Sequence, residues 1–358
     1  MSDALLLTLI ISGGFALVAF IISVVLTPLV GLLARRAEIV DRPTAEPKKL
    51  HHRPIPLLGG AAIFLTITVL LSLLLHDKST DILTSGLVRP MHYLGFLLGG
   101  AILMIGGFLD DKFTLPPKVT ILFPFLAALT AVLAGIGVSK VSNPIGGGTL
   151  EISQTLSAAI TFVWLLVVMY TTKFLDGMDG LATGVSAIGA LMMTGLALTV
   201  QYFQPDAAVF AAICFGAMLG FLVWNFHPAK IFLGEGGSTF VGFTIGTLAV
   251  IGGAKLGTAL LVLSIPFLDV VWVILRRTLV EHHSPTKGDR KHLHHRLLDL
   301  GLSQRQVVLI YYAIAAVVGI LTLFLQSREK VILFAILVGT MILGATALVL
   351  TERKKAKV

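Results

Sequence analysis

The stretch ALLLTLIISGGFALVAFIISVVLTPLVGLL, residues 4–33, decides the fold. It holds no charged side chain over thirty residues, more than the roughly 20 that a helix needs to cross the hydrocarbon core of a bilayer. It is too long for the apolar region of a signal peptide, and no basic residue stands ahead of it, so it is expected to remain in the chain as a helix. Ten further apolar segments follow, at 57–75, 92–109, 119–137, 155–172, 181–201, 207–226, 238–253, 257–275, 305–326 and 331–350. The expectation is an all-α polytopic membrane protein, one integral membrane domain over residues 1–358, with eleven transmembrane helices. The count falls to ten if the eighth segment, short and rich in glycine, is a tilted or broken span.

Composition agrees. Of the 358 residues 56 % are hydrophobic and 13 % charged, about half the charged share of a water-soluble domain, which excludes water as the main solvent. The lone cysteine, Cys214, sits inside an apolar run and has no partner for an intrachain disulfide. The long outer connection at 138–154 contains Asn143-Pro144 and Gly146-Gly147-Gly148, and Thr149 to Ile152 permit a small hairpin there.

With eleven spans the termini face opposite sides. Of the 27 Lys and Arg residues, 21 fall in the connections on one side and 6 on the other, so the richer side is cytoplasmic, with the N-terminus outside and the C-terminus inside. The net charge of +8 is thereby largely an insertion signal. Its partner is the lipid bilayer, not nucleic acid. A second asymmetry is not required by insertion: twelve of nineteen Asp and Glu and eight of ten His lie on the same side, with Asp269 inside the ninth span.

These residues fall into five clusters. Asp110-Asp111-Lys112 ends the third helix, where adjacent carboxylates meet the negative end of the helix dipole and call for a cation; a solvated loop with Lys112 as counter-ion explains them equally well. Lys173-Phe174-Leu175-Asp176-Gly177-Met178-Asp179-Gly180 places two carboxylates on a tight turn before a helix, as a plain Asp-Gly turn also would. Gly234-Glu235-Gly236-Gly237-Ser238 offers backbone N–H groups to a phosphate and one carboxylate to a hard cation, or is a flexible connection; Asn225, His227 and Lys230 precede it. Lys287 to Arg296 holds His292, His294, His295 and four basic side chains, a diphosphate-binding pattern that topogenic charge does not explain. Lys48 to Gly60, with Lys49 and His51, is either a lipid-phosphate contact or ordinary topogenic charge. Oxygen donors with few soft ones favour Mg²⁺ or Mn²⁺ over Zn²⁺, and acids with basic clusters at a membrane suggest phosphoryl-type transfer.

In order, Lys-Lys-Leu-His before Pro-x-Pro-x-x-Gly-Gly, Phe-Leu-Asp-Asp, Asp-Gly-x-Asp-Gly, Phe-Leu-Gly-x-x-Gly-Ser and His-Leu-His-His-Arg resemble the polyprenyl-phosphate N-acetylhexosamine-1-phosphate transferases. The resemblance spans roughly residues 28 to 312 and is nearest to the bacterial undecaprenyl-phosphate GlcNAc-1-phosphate transferases. It implies an enzyme of the bacterial cytoplasmic membrane, possessing an active site on the cytoplasmic face. The enzyme would move GlcNAc-1-phosphate from UDP-GlcNAc to undecaprenyl (polyprenyl) phosphate, releasing UMP and forming polyprenyl-diphosphate-GlcNAc, the first membrane step of cell-envelope polysaccharide synthesis. Asp110, Asp111, Asp176 and Asp179 would be catalytic, Glu235, Asp111 and Asp179 would hold Mg²⁺, and Lys49, His51, Lys112, Lys173, Asn225, His292, His294, His295 and Arg296 would face the substrates. A homodimer is implied as well.

Two positions depart from the pattern: Lys173 stands where many members have asparagine, and Glu235 where many have the metal-binding aspartate. Either alters the expected choice of sugar more than the class of reaction, so another UDP-HexNAc or UDP-MurNAc-pentapeptide is the competing donor. Three other readings are weaker. A transporter would carry carboxylates near mid-membrane, an intramembrane protease using Asp110 and Asp176 would carry its dyad in apolar helices, and a lipid-binding scaffold without turnover stays open through Glu235 at the metal position.

Overall fold

Apolar runs of this length leave the backbone one way to satisfy its N–H and C=O groups in lipid, and the chain is accordingly helical almost throughout. The computed structural model describes residues 3–43, 53–76, 82–84, 86–138, 140–142, 148–252, 255–279 and 292–355. In chain order the helices are α1 (Asp3–Arg36), α2 (Gly59–His76), α3 (Pro90–Phe113), α4 (Pro117–Thr120), α5 (Leu122–Leu133), α6 (Gln154–Leu175), α7 (Leu181–Ala197), α8 (Pro205–Asn225), α9 (Gly234–Ile251), α10 (Leu256–Val262), α11 (Ser264–Leu279), α12 (Leu293–Asp299), α13 (Gln304–Phe324) and α14 (Ser327–Lys355). Proline opens α3, α4 and α8, where a missing N–H costs nothing. Ser303 and Gln306 form a reciprocal cap at the start of α13. Two short antiparallel ladders complete the inventory, β1 (Val40–Asp41) with β2 (Ile55–Pro56), and β3 (Lys140–Ser142) with β4 (Thr149–Glu151). The second is the hairpin expected in the outer connection, and Lys140 pairs with Glu151 across it at 3.2 Å.

Each of the eleven apolar segments is helical, but they are not equivalent. Among the described residues, α1, α2, α3, α6, α8 and α13 are long and apolar enough to cross a membrane. The expected ninth span is bent by 75° between α10 and α11, and makes a seventh crossing if the pair counts as one. Pro117–Leu133 and α7 are shorter, and α9 opens on Gly-Glu-Gly-Gly-Ser-Thr. The physical difference is position: every residue of α9 from Gly236 to Ile251 is buried, as is nearly all of α7, so these helices face protein where the outer ones face lipid.

α9 is the hub, packed against α2, α3, α6 and α7. Its Phe240 and Phe243 meet Phe96 of α3, the latter ring stacked at 5.6 Å, and Phe96 meets Phe210 of α8 edge-on at 5.0 Å. At its N-terminal end the packing is backbone to backbone. A Cβ on Gly107 of α3 would collide with the Gly236 nitrogen, and one on Gly60 of α2 would collide with the Gly237 Cα. Small residues let helices approach where dispersion and close contact, rather than a hydrophobic driving force, hold them together. The glycines expected to cradle a phosphate therefore serve first as helix contacts.

Gly107→Ala is expected to destabilise the purified protein by about 1–3 kcal/mol, the usual cost of overpacking, read as a lower melting temperature in detergent. Gly13→Ala, where nothing lies within 4 Å, should leave it unchanged.

Candidate active site

The ends of α3, α6 and α8 and the start of α9 converge at one end of the bundle, so four of the five sequence clusters meet there. Asp110 and Asp111 are neighbours on a helix and so point in different directions. Asp110 Oδ1 accepts from the Leu115 N–H at 2.8 Å and closes the turn after α3, where Thr114 is left-handed. Asp111 reaches the start of α9, where both its oxygens accept from the Glu235 N–H at 3.2 and 3.3 Å. That is a carboxylate on the positive end of a helix. Gly234 before it has φ +76°, and a Cβ there would strike the Asp111 carboxylate. Glu235 turns back toward α6, and its Oε2 lies 2.5 Å from Lys173 Nζ.

In the turn between α6 and α7, Asp179 Oδ2 takes the Ala229 N–H at 3.0 Å and the His227 ring at 2.8 Å, which ties this turn to the one after α8. Asp176 caps α6. Burial first, then the carboxylates of Glu235, Asp111 and Asp179, push its carboxyl up to about 8, so it holds a proton at neutral pH.

The histidine motif docks on the same turn through α12. His292 Nδ1 is 2.8 Å from Asp269 Oδ2, and the Leu293 N–H donates to Asp269 Oδ1 at 2.9 Å. With Nδ1 facing that carboxylate, Nε2 of His292 is the nitrogen left for a ligand. The His292 ring stacks on Phe174 at 6.1 Å and on His294 at 5.6 Å. His294 and His295 are buried, 4.4 Å apart, and Gly177 is the residue that makes room, since a Cβ there would lie 2.8 Å from His294 Nε2. Burial, then the rings of His295 and His292, hold His294 well below its ordinary 6.5, so it is a neutral imidazole. Arg296 lies half-buried on the same helix.

Three expectations change. Asn225 does not face a ligand: it is 2 % exposed, accepts from Thr183 at 3.0 Å and donates to Ile231 O at 3.0 Å, bracing the turn that carries His227. Lys112 stands over the rings of Phe108 and Phe113, at 5.8 and 5.6 Å, on the exposed end of α3. Among the described residues no three His, Cys, Asp or Glu side chains converge as the ligands of a metal ion would, so the set Glu235, Asp111 and Asp179 does not form an Mg²⁺ site in this arrangement. Lys49 and His51 lie outside the described residues. Conversely Asp269, His227 and Phe174 join the site. Asp269 has a sequence signal as the one acid within an apolar span, and His227 as a histidine just ahead of the Gly234 cluster.

Between α3, α5 and α9 opens a small pocket. Asp110, Lys173 and Glu235 line it together with Leu103, Phe123 and Pro124. Leu103 lies seven residues before Asp110 on α3, about 10 Å deeper along the axis, so the pocket joins a charged rim to an apolar interior.

The sequence profile described as glycosyl transferase family 4 matches residues 93–253. The chain is similar to a probable undecaprenyl-phosphate N-acetylglucosaminyl 1-phosphate transferase of Bacillus subtilis, at 31 % identity over 94 % of either chain. It is similar too to a decaprenyl-phosphate N-acetylglucosaminephosphotransferase of Mycobacterium leprae, at 31 % over 93 % of this chain and 88 % of the relative. A phospho-N-acetylmuramoyl-pentapeptide-transferase of Halalkalibacterium halodurans is 30 % identical over 90 % of this chain and 97 % of its own.

The raised Asp176 carboxyl has a consequence for stability. Its protonated form favours the folded state; that contribution is complete below the ordinary carboxylate range and is lost as pH rises through about 8. Asp176→Asn, which cannot ionise, is expected to flatten the fall in melting temperature between about pH 5 and about pH 9, measured in detergent beside the parent chain.

Proposed function

Since this chain belongs to glycosyl transferase family 4, we propose that it transfers N-acetylglucosamine 1-phosphate from UDP-N-acetylglucosamine to a polyprenyl phosphate such as undecaprenyl phosphate, releasing UMP. The small pocket between α3, α5 and α9 carries this reading: it sets the charged Asp110, Lys173 and Glu235 beside the apolar Leu103, Phe123 and Pro124, the kind of junction at which a phosphate on a hydrocarbon chain would lie. Exposed Ile121, Leu122 and Phe125 continue the apolar surface around it toward lipid.

In the transfer a lipid-phosphate oxygen bonds to the sugar-bearing phosphorus. The bond from that phosphorus to the bridging oxygen breaks, and the electron pair leaves with UMP. Such a step demands in-line positioning and compensation of negative charge more than covalent help. His292, oriented by Asp269, and Arg296 present donors to the diphosphate from α12, and neutral His294 adds no charge that would need a counter-ion. The Asp176–Asp179 turn, tied down through His227 and Ala229, takes the nucleotide side. Protonated Asp176 is a donor there and spares an incoming diphosphate one repulsion. Asp110 and Asp111 border the lipid phosphate. The expected Mg²⁺ does not fit the donors as they stand. On the Lys/Arg bias of its connections this end of the bundle faces the cytoplasm, the side where a soluble nucleotide sugar and a membrane-held phosphate can meet.

Purified protein with undecaprenyl phosphate and UDP-GlcNAc is expected to release UMP and form the lipid-diphosphate sugar. Asp179→Asn and His292→Ala should each lower kcat/KM by about 100-fold or more. Absence of UMP from UDP-GlcNAc, UDP-MurNAc-pentapeptide and other UDP-HexNAc donors would overturn the assignment.

A further inference from the structure

Lys173 and Glu235 are the two residues that depart from the pattern the chain otherwise follows, and they are partners. Their ion pair, 2.5 Å from Nζ to Oε2, sits on the pocket wall with the two side chains 27 % and 41 % exposed. Neither end is carried by a floppy loop. Lys173 is in the last turn of α6, where the helix dipole favours a cation, and Glu235 is in the first turn of α9, where it favours an anion. The two helices are clamped beside the pair: Thr172 Oγ1 donates to Ser238 O at 2.9 Å, and a Cβ on Gly242 would collide with the same hydroxyl. The ammonium is therefore held at a set place by rigid elements.

Around it several carboxylate oxygens already have partners. Asp111 gives both to the Glu235 N–H, Asp110 gives Oδ1 to Leu115 and Asp179 gives Oδ2 to His227 and Ala229, while Glu235 gives Oε2 to Lys173. A hard divalent ion asks for several oxygens converging at about 2.1 Å, and among the described residues no three acid, histidine or cysteine side chains converge in that way. Yet the proposed reaction brings two phosphate-bearing anions into a cluster of acids, and some positive charge must lie against the transferred phosphoryl group.

From this we infer that the Lys173 ammonium, oriented by Glu235, is the resident cation of the pocket and does the charge compensation that a divalent metal ion would otherwise supply, so that transfer proceeds without one. The inference rests on the transferase reading above. Glu235 acts through Lys173 as a positioning residue; Lys173 itself meets a phosphate oxygen, as its exposed face on the pocket allows. No bond is made or broken by the pair, and the lysine keeps its proton through the transfer.

The test compares UMP release by the parent protein in excess EDTA and in millimolar Mg²⁺, alongside Mn²⁺ binding followed by electron paramagnetic resonance. The parent is expected to keep at least about half its rate under chelation and to take up no Mn²⁺ at the site. Lys173→Gln, which removes the cation and frees the Glu235 carboxylate, should lose about 100-fold or more under chelation, regain activity with Mg²⁺ or Mn²⁺, and bind Mn²⁺. A parent enzyme that stops on chelation and restarts with Mg²⁺ overturns the inference and leaves the transferase assignment standing. No UMP under any condition overturns the assignment itself, and the inference with it. The parent arm and its Mn²⁺ signal decide the matter even if the variant does not fold.

Discussion

One backbone N–H and two pairs of glycines set the centre of this protein. The Glu235 N–H sits on the Asp111 carboxylate, and Gly236 and Gly237 lie against Gly107 and Gly60. The first N–H groups of a helix packed into a bundle need partners, and an unpaired buried one costs about 1–3 kcal/mol; the Asp111 carboxyl from α3 answers that need. Because the glycines let three helices touch at this point, the start of α9, the end of α3 and the start of α2 are packed together there. The site is then built on helix ends rather than on loops, which suits a reaction that depends on placement.

The same economy runs through the polar groups around it. Four carboxylates close enough to repel are kept apart by different means. Asp111 sits on a helix start, Asp179 on the turn after α8 and Glu235 on a lysine, while Asp176 is protonated. The histidines are handled likewise, His292 against Asp269 and His227 against Asp179, while His294 is kept neutral by burial. The result is a cluster in which each of these acids and histidines is held by a partner or by burial. Arriving phosphates thus meet oriented donors in a partly dry site, where such donors act more strongly than in water.

The role of a residue follows from its neighbours more than from its motif. Gly234 to Ser238 read as a phosphate cradle because glycine exposes backbone N–H groups; in the fold Gly236 and Gly237 are spent on helix contact, and the Glu235 N–H is already bonded. Asn225 reads as a ligand-facing amide and is instead a brace with both ends used. Lys112 reads as counter-ion to the aspartates beside it in sequence, yet successive helical residues diverge, and it lies over two aromatic rings. Asp269 looks isolated in an apolar run, and His292, 23 residues later in the chain, meets it in the fold.

Sequence alone determined that the chain is an all-α membrane protein, where its helices lie, and which motifs gather its acids and histidines. These are properties of composition and local order: an apolar run must bury its backbone as a helix whatever its neighbours, and a motif is contiguous by definition. It also marks Lys173 and Glu235 as departures, one at a time. Only the tertiary structure decided that they are a pair, that Asp111 serves α9, that Asp269 and His227 belong to the site, and that α7 and α9 are interior helices while α1 and α13 face lipid. Charges 62 residues apart in the chain, as Lys173 and Glu235 are, interact through distance in space. That distance is set by how closely two helices pack, here by Thr172 against Ser238 and Gly242.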